Sequence, residues 1–106
     1  MCAMGFVGRL NRIGMEACRR GQFDEAELNL LAALELAQTR GGGCTSIKIH
    51  NNLGIVCELQ GRHEKAAYHY GNALDLLKEK VPGNHPLHER LTRSLTRAAS
   101  AGSTAG

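Results

Sequence analysis

The side chains able to do chemistry in this chain are five histidines, four cysteines and a short row of arginines near the C-terminus. The histidines are His50, His63, His69, His85 and His88, and the cysteines are Cys2, Cys18, Cys44 and Cys57. A zinc site needs three or four converging ligands. The one close histidine pair, His85 and His88, spans Pro86 and has no cysteine near it. The cysteines contain no C-x-x-C pair, and free thiols are expected. Cys57 falls at an apolar packing position and is expected to be buried and inert, whereas Cys44, beside three glycines, is expected to be exposed. Ser46 and His50 stand one helical turn apart, but no acid completes a nucleophilic set, and a plain surface pair is expected. Gly41-Gly42-Gly43 lacks the Lys-Ser/Thr of a phosphate loop and follows a helix rather than a strand, so it reads as a linker. Arg90, Arg93 and Arg97 could touch RNA or acidic lipid, but with Glu89 among them a solvated helix face is the simpler reading. The chain is therefore expected to have no catalytic residues, no metal and no cofactor.

The scaffold holding these groups is small and helical. A chain of 106 residues, 42% apolar and 22% charged, has room for one domain with one modest core. Thirteen Lys and Arg against ten Asp and Glu give a net charge of +3, far below that of a typical nucleic-acid binder. The aromatic residues are Phe6, Phe23, Tyr68 and Tyr70, so the core must be built from leucine and alanine, which favours helices. No apolar stretch approaches the ~20 residues of a membrane span. Arg9 and Arg12 follow closely on the first apolar residues, no signal-peptide pattern is present, and a cytoplasmic location is expected.

A shift of 40 residues aligns Asn11 with Asn51, Gly14 with Gly54, Gly21 with Gly61, Ala26 with Ala66, Ala33 with Ala73, Leu34 with Leu74 and Leu36 with Leu76. Each copy reads as helix, glycine turn, helix. In the first copy Phe6, Leu10, Ile13, Gly14 and Ala17 mark one helix and Gly21 ends it. The partner helix runs from about Gln22 to Arg40, with Phe23, Ala26, Leu30, Ala33, Leu34 and Ala37 inward. In the second copy Thr45 or Ser46 is expected to cap a helix ending near Gln60, and its partner runs from about Arg62 to Lys80. Ala66, Tyr70, Ala73, Leu74 and Leu77 should face inward there. After Val81-Pro82-Gly83-Asn84-His85, Pro86 opens a fifth helix whose stripe of Leu87, Leu91 and Leu95 suits a terminal cap.

Asn52-Leu53-Gly54, Gly61, Ala66, Tyr70 and Ala73-Leu74 resemble the signature of the tetratricopeptide repeat family. Ile13-Gly14, Gly21, Ala26, Leu30 and Ala33-Leu34 repeat it. The resemblance spans about residues 5–80. Its 40-residue period is similar to that of the longer variant in kinesin light chains. The usual tryptophan of the first helix is replaced by Leu10 and His50, and the proline ending the second by Gln38 and Lys78. The resemblance implies an all-α stack of antiparallel helix hairpins, two repeats plus a capping helix, that binds a protein or peptide partner on its concave face. The concave face would carry Asn11, Met15, Arg19, Lys48, Asn51, Asn52, Ile55, Glu58 and Leu59, with Gly8 and Cys18 beside them. Side-chain amides at Asn11 and Asn51 could bond an extended peptide backbone. The expected organisation is one domain over 1–99, with repeats at about 5–40 and 45–80, a cap at 86–99 and a flexible tail over 100–106. The alternative is a self-associating assembly module. Two repeats are fewer than the ~3 a stable stack usually needs, so exposed end helices, with Phe6, Val7 and Leu10 partly bare, could pair into a homodimer.

Overall fold

The first three interhelical turns use one device. At the end of α1 (Ala3–Arg19), Gly21 adopts φ 76°. Its N–H donates to the Cys18 carbonyl at 3.0 Å, and the Gln22 N–H donates to the Ala17 carbonyl at 2.9 Å. A residue without Cβ takes this left-handed backbone at little cost, and the helix-end carbonyls of Ala17 and Cys18 are satisfied. The next helix, α2 (Phe23–Thr39), begins at once. The same turn recurs at Gly41, φ 70°, before α3 (Gly43–Leu59), and at Gly61, φ 75°, before α4 (His63–Lys80). A longer connection through Gly83 leads to α5 (Pro86–Thr104), where His85 Nδ1 accepts the Leu87 N–H at 3.1 Å. Pro86 fits the first helical position, where a backbone N–H would have no intrahelical partner. The computed structural model describes residues 3–83 and 85–104, so Cys2, Asn84 and the last two residues of the expected tail lie outside the described residues.

Each helix packs on the next, and the stack is a slab of 47 × 36 × 19 Å. Small residues set the spacing within each hairpin. A Cβ added to Gly14 would stand 2.9 Å from Leu30 Cγ and 3.1 Å from the Ala26 carbonyl oxygen. At Gly54 it would stand 2.5 Å from the Tyr70 ring. Ala26, Ala33, Ala66 and Ala73 are wholly buried, as the repeat alignment requires. The core has two parts. One joins Val7, Ala17, Leu30 and Ala33 to Ile49, Leu53 and Val56 of α3. The other joins Ile47 and Cys57 to Tyr70, Leu74 and Leu77 of α4 and to Leu91 and Ala98 of α5. Thus α3 contributes one side to each part, and the hairpins share a continuous interior.

Several expectations change. Thr45 and Ser46 cap nothing: α3 starts two residues before Thr45, with Gly42 at its N-cap and no side-chain capping bond. The reason is that the link between hairpins is the same glycine turn as the one within them, and it delivers the chain straight into helix. Ser46 and His50 are buried rather than a surface pair, because they lie between α3 and its neighbours. Val7 is fully buried, occupying in α1 the place of Ile47, whereas Ile13 is partly exposed. The apolar stripe of α5 turns Leu91 and Ala98 inward, with Leu87 and Leu95 half-buried. This helix continues past residue 99 to Thr104, replacing the first five residues of the expected tail. Gly102 lies against α4, where an added Cβ would meet Glu64 Cγ at 3.4 Å and His63 Cβ at 3.7 Å, so the small residues here serve packing.

Candidate functional site

Side-chain contacts place α1, α3 and α5 side by side and parallel. Asn52 Nδ2 of α3 donates to Asn11 Oδ1 of α1 at 2.8 Å. Ile47 shares a core cluster with Leu91, and further along both helices Glu58 meets Arg97, so α3 and α5 run in the same direction. Glu58 accepts the Tyr70 hydroxyl at 2.7 Å and two Arg97 guanidinium N–H groups at 2.9 and 2.7 Å. The Arg97 hydrogen bonds, helped by Tyr70, hold the Glu58 carboxyl below its ordinary range against the opposing effect of burial. Burial pushes the Tyr70 phenol up, and the adjacent carboxylate adds to that. Tyr70 is the same side chain that fills the space left by Gly54, so the network pins the ring that sets the hairpin spacing.

The nine expected concave-face residues divide accordingly. Asn11 and Asn52 are half-buried and bonded to each other. Met15 packs against the first core cluster and Ile55 against the second. Glu58 is held by Tyr70 and Arg97, and so serves the fold. Arg19 and Leu59 are exposed at the ends of their helices. Lys48 and Asn51 come together in a cleft between α3 and α5 of about 250 Å³. Ile47, Leu87 and Leu91 form its apolar lining, and Cys44 and Arg90 join Lys48 and Asn51 there. Gly8 is exposed, whereas Cys18 is buried and faces the core. Burial raises the Cys18 and Cys57 thiols above the usual range, which keeps them protonated and inert.

Sequence reasoning missed the meeting of Arg90 with Lys48, because the register of α5 carries no glycine marker. It also missed a buried histidine pair on the opposite side. His50 Nδ1 of α3 and His69 Nδ1 of α4 are 3.2 Å apart with ring centroids 5.4 Å apart, nearly head to head, so one ring donates to the other. Burial lowers both pKa values, that of His69 to about 4. The pair borders a groove of about 560 Å³ between α2 and α4 that also touches Leu31 and Tyr68. Near it Glu27 accepts from Lys65, which holds its carboxyl below the ordinary range. His85 and His88 are engaged at the start of α5, where His88 Nδ1 lies 3.3 Å from the His85 carbonyl. Among the described residues no group of three or more His, Cys, Asp or Glu is placed to hold a metal ion, and no helix is long and apolar enough to cross a membrane.

The family model of the tetratricopeptide repeat matches residues 8–79, from the second turn of α1 to the end of α4. No curated protein matches the chain. With one glycine turn used three times, small residues at matching places in both hairpins, and a family match over more than half of its length, the chain belongs to the tetratricopeptide repeat family.

Proposed function

We propose that this chain is a non-catalytic binding module whose concave face, centred on the cleft between α3 and α5, takes an extended acidic segment of a partner protein. Membership of the family supports a protein–protein interaction role. The observation that carries the finer reading is the charge state of the cleft. Arg93 is paired with Glu89 and Arg97 with Glu58. Lys48 and Arg90, both exposed, enter no ion pair among the described residues. Two unneutralised cations over Ile47, Leu87 and Leu91 match a ligand that offers a carboxylate next to an apolar side chain. The Asn51 amide beside them can bond a peptide backbone without reading its sequence.

A synthetic peptide array tests this reading. The chain should capture peptides that place Asp or Glu within a few residues of Leu, Ile or Met. Capture should weaken as salt rises, because the cations are solvent-exposed. Changing Lys48→Glu together with Arg90→Glu should abolish capture without moving the melting temperature. Equal capture of acidic and basic peptides, or a double variant that binds as well as the original chain, would overturn the proposal.

A further inference from the structure

In α3, Ser46, Ile49, Leu53 and Val56 are buried where that helix meets the hairpin before it. Forty residues earlier the same places in α1 are held by Phe6, Arg9, Ile13 and Glu16. In α2, Leu28 holds the place of Tyr68, which in α4 faces the groove towards α2. Phe6, Ile13 and Leu28 are 51%, 40% and 70% exposed. The first hairpin therefore presents the face of a repeat junction, with apolar side chains where a neighbour would sit. The other end of the stack differs: α5 has no large apolar side chain among those left exposed, and its outer positions carry Glu89, Thr92, Arg93 and Thr96.

We infer that the face formed by Phe6, Arg9, Ile13 and Glu16 of α1, with Leu28 of α2, is the interface of a two-fold homodimer of this chain. Three features favour a second copy. The face carries one cation and one anion two turns apart, so it is complementary to itself. An antiparallel pairing of two α1 helices centred between Arg12 and Ile13 sets each Arg9 against the Glu16 of the other copy and puts Ile13 near the axis. A head-to-tail contact would press the apolar face onto the polar surface of α5 and would extend without closing, whereas face-to-face pairing covers both apolar patches and closes. A 17-residue helix is about 25 Å long, so the buried area lies at the low end for stable complexes and the dimer depends on concentration.

Sedimentation equilibrium of the whole chain at several concentrations, with circular dichroism as the check on folding, tests the inference. The chain should pass from monomer to dimer with no larger species. Arg9→Glu and Glu16→Arg should each weaken dimerisation about tenfold, since each sets like charges opposite one another. The double variant should restore it, because the pair is merely reversed. Phe6→Glu should abolish it with helix content intact. A monomer at near-millimolar concentration, open-ended growth with concentration, or a double variant as weak as the singles would overturn the inference. Because the charge variants change exposed residues, they report on the face even if an apolar substitution perturbs folding.

Discussion

The two hairpins share a backbone design and differ in their surroundings. Both close on a left-handed glycine, both pack a glycine against a bulky residue of the second helix, and both bury the same alanines. The second hairpin has a neighbour on each side, α2 and α5. The first has a neighbour on one side only. The sequence follows that difference at two of the matched positions, where Ile49 and Val56 become Arg9 and Glu16, whereas Ile13 stays apolar at the place of Leu53. Whether a repeat position is covered depends on its neighbours in the stack, and the helical period alone does not say so. The same contrast appears opposite the paired glycines, where Gly14 meets an aliphatic Leu30 and Gly54 meets a Tyr70 anchored by Glu58.

The largest expected effect separates matched positions. Leu53→Ala should cost about 2–5 kcal/mol, because the side chain is fully buried between hairpins. In the monomer Ile13→Ala should cost under about 1 kcal/mol, since much of that side chain is already in water. Chemical denaturation of both variants measures the gap, and equal losses would erase the distinction between the hairpins.

Small-residue contacts come next. Gly54→Ala should lose about 1–3 kcal/mol from overpacking against the Tyr70 ring, which Glu58 keeps from moving aside. Gly14→Ala should lose less, since its contacts of 2.9 Å to Leu30 Cγ and 3.1 Å to the Ala26 carbonyl oxygen call for a smaller shift than the 2.5 Å to the Tyr70 ring, and alanine gains helix propensity over glycine. Ala66→Leu and Ala33→Leu should each cost about 1–3 kcal/mol for the same steric reason. Thermal melts that place Gly14→Ala below Gly54→Ala would reverse the assigned tightness of the two hairpins.

A pH effect should belong to the second hairpin. The folded chain holds His69 at about 4 against an ordinary value of 6.5, chiefly by burial, with His50 and Lys65 adding to it and Glu27 opposing. The unfolded chain therefore binds more protons between these values. Stability is complete above pH 6.5 and falls as pH drops towards 4, by on the order of 1–3 kcal/mol. His69→Leu should flatten this decline in stability measured across that window. An unchanged slope would mean that the pair does not control it.

The smallest effects concern the Glu58 network. Glu58→Ala should cost about 1–2 kcal/mol, because it strips a buried phenol of its acceptor. Arg97→Ala should cost under about 1 kcal/mol, since the guanidinium is largely solvated. Because the Glu58 carboxyl is held below its ordinary range, its share of stability persists above that range and is lost as pH falls through the lowered value. A loss from Arg97→Ala as large as that from Glu58→Ala would make the exposed ion pair, rather than the tyrosine, the main contact.

The repeat was legible because glycine and alanine mark close approach, and Gly21 and Gly61 marked the turns directly. Three other features were harder to read. Ser46 looked like a cap because hydroxyls often are, but Gly41 had already turned the chain. His50 was read with Ser46 as a surface pair, since sequence does not show that α3 and α4 bring two imidazoles together and bury them. Lys48, Asn51 and Asn52 were legible as candidate binding positions by their place in the repeat. Arg90 was not, because its meeting with Lys48 depends on how α5 registers against α3, and α5 has no glycine to mark it.

On the proposed reading, binding falls in the α3–α5 cleft. The most direct measurement is an amide chemical-shift titration of the isotope-labelled chain with a short peptide containing glutamate next to leucine. Saturable shifts are expected to concentrate at Cys44, Lys48, Asn51, Leu87 and Arg90, and to be absent when Lys48 and Arg90 are both changed to Glu. Shifts centred instead on Leu31, Tyr68 and His69 in the α2–α4 groove would contradict it.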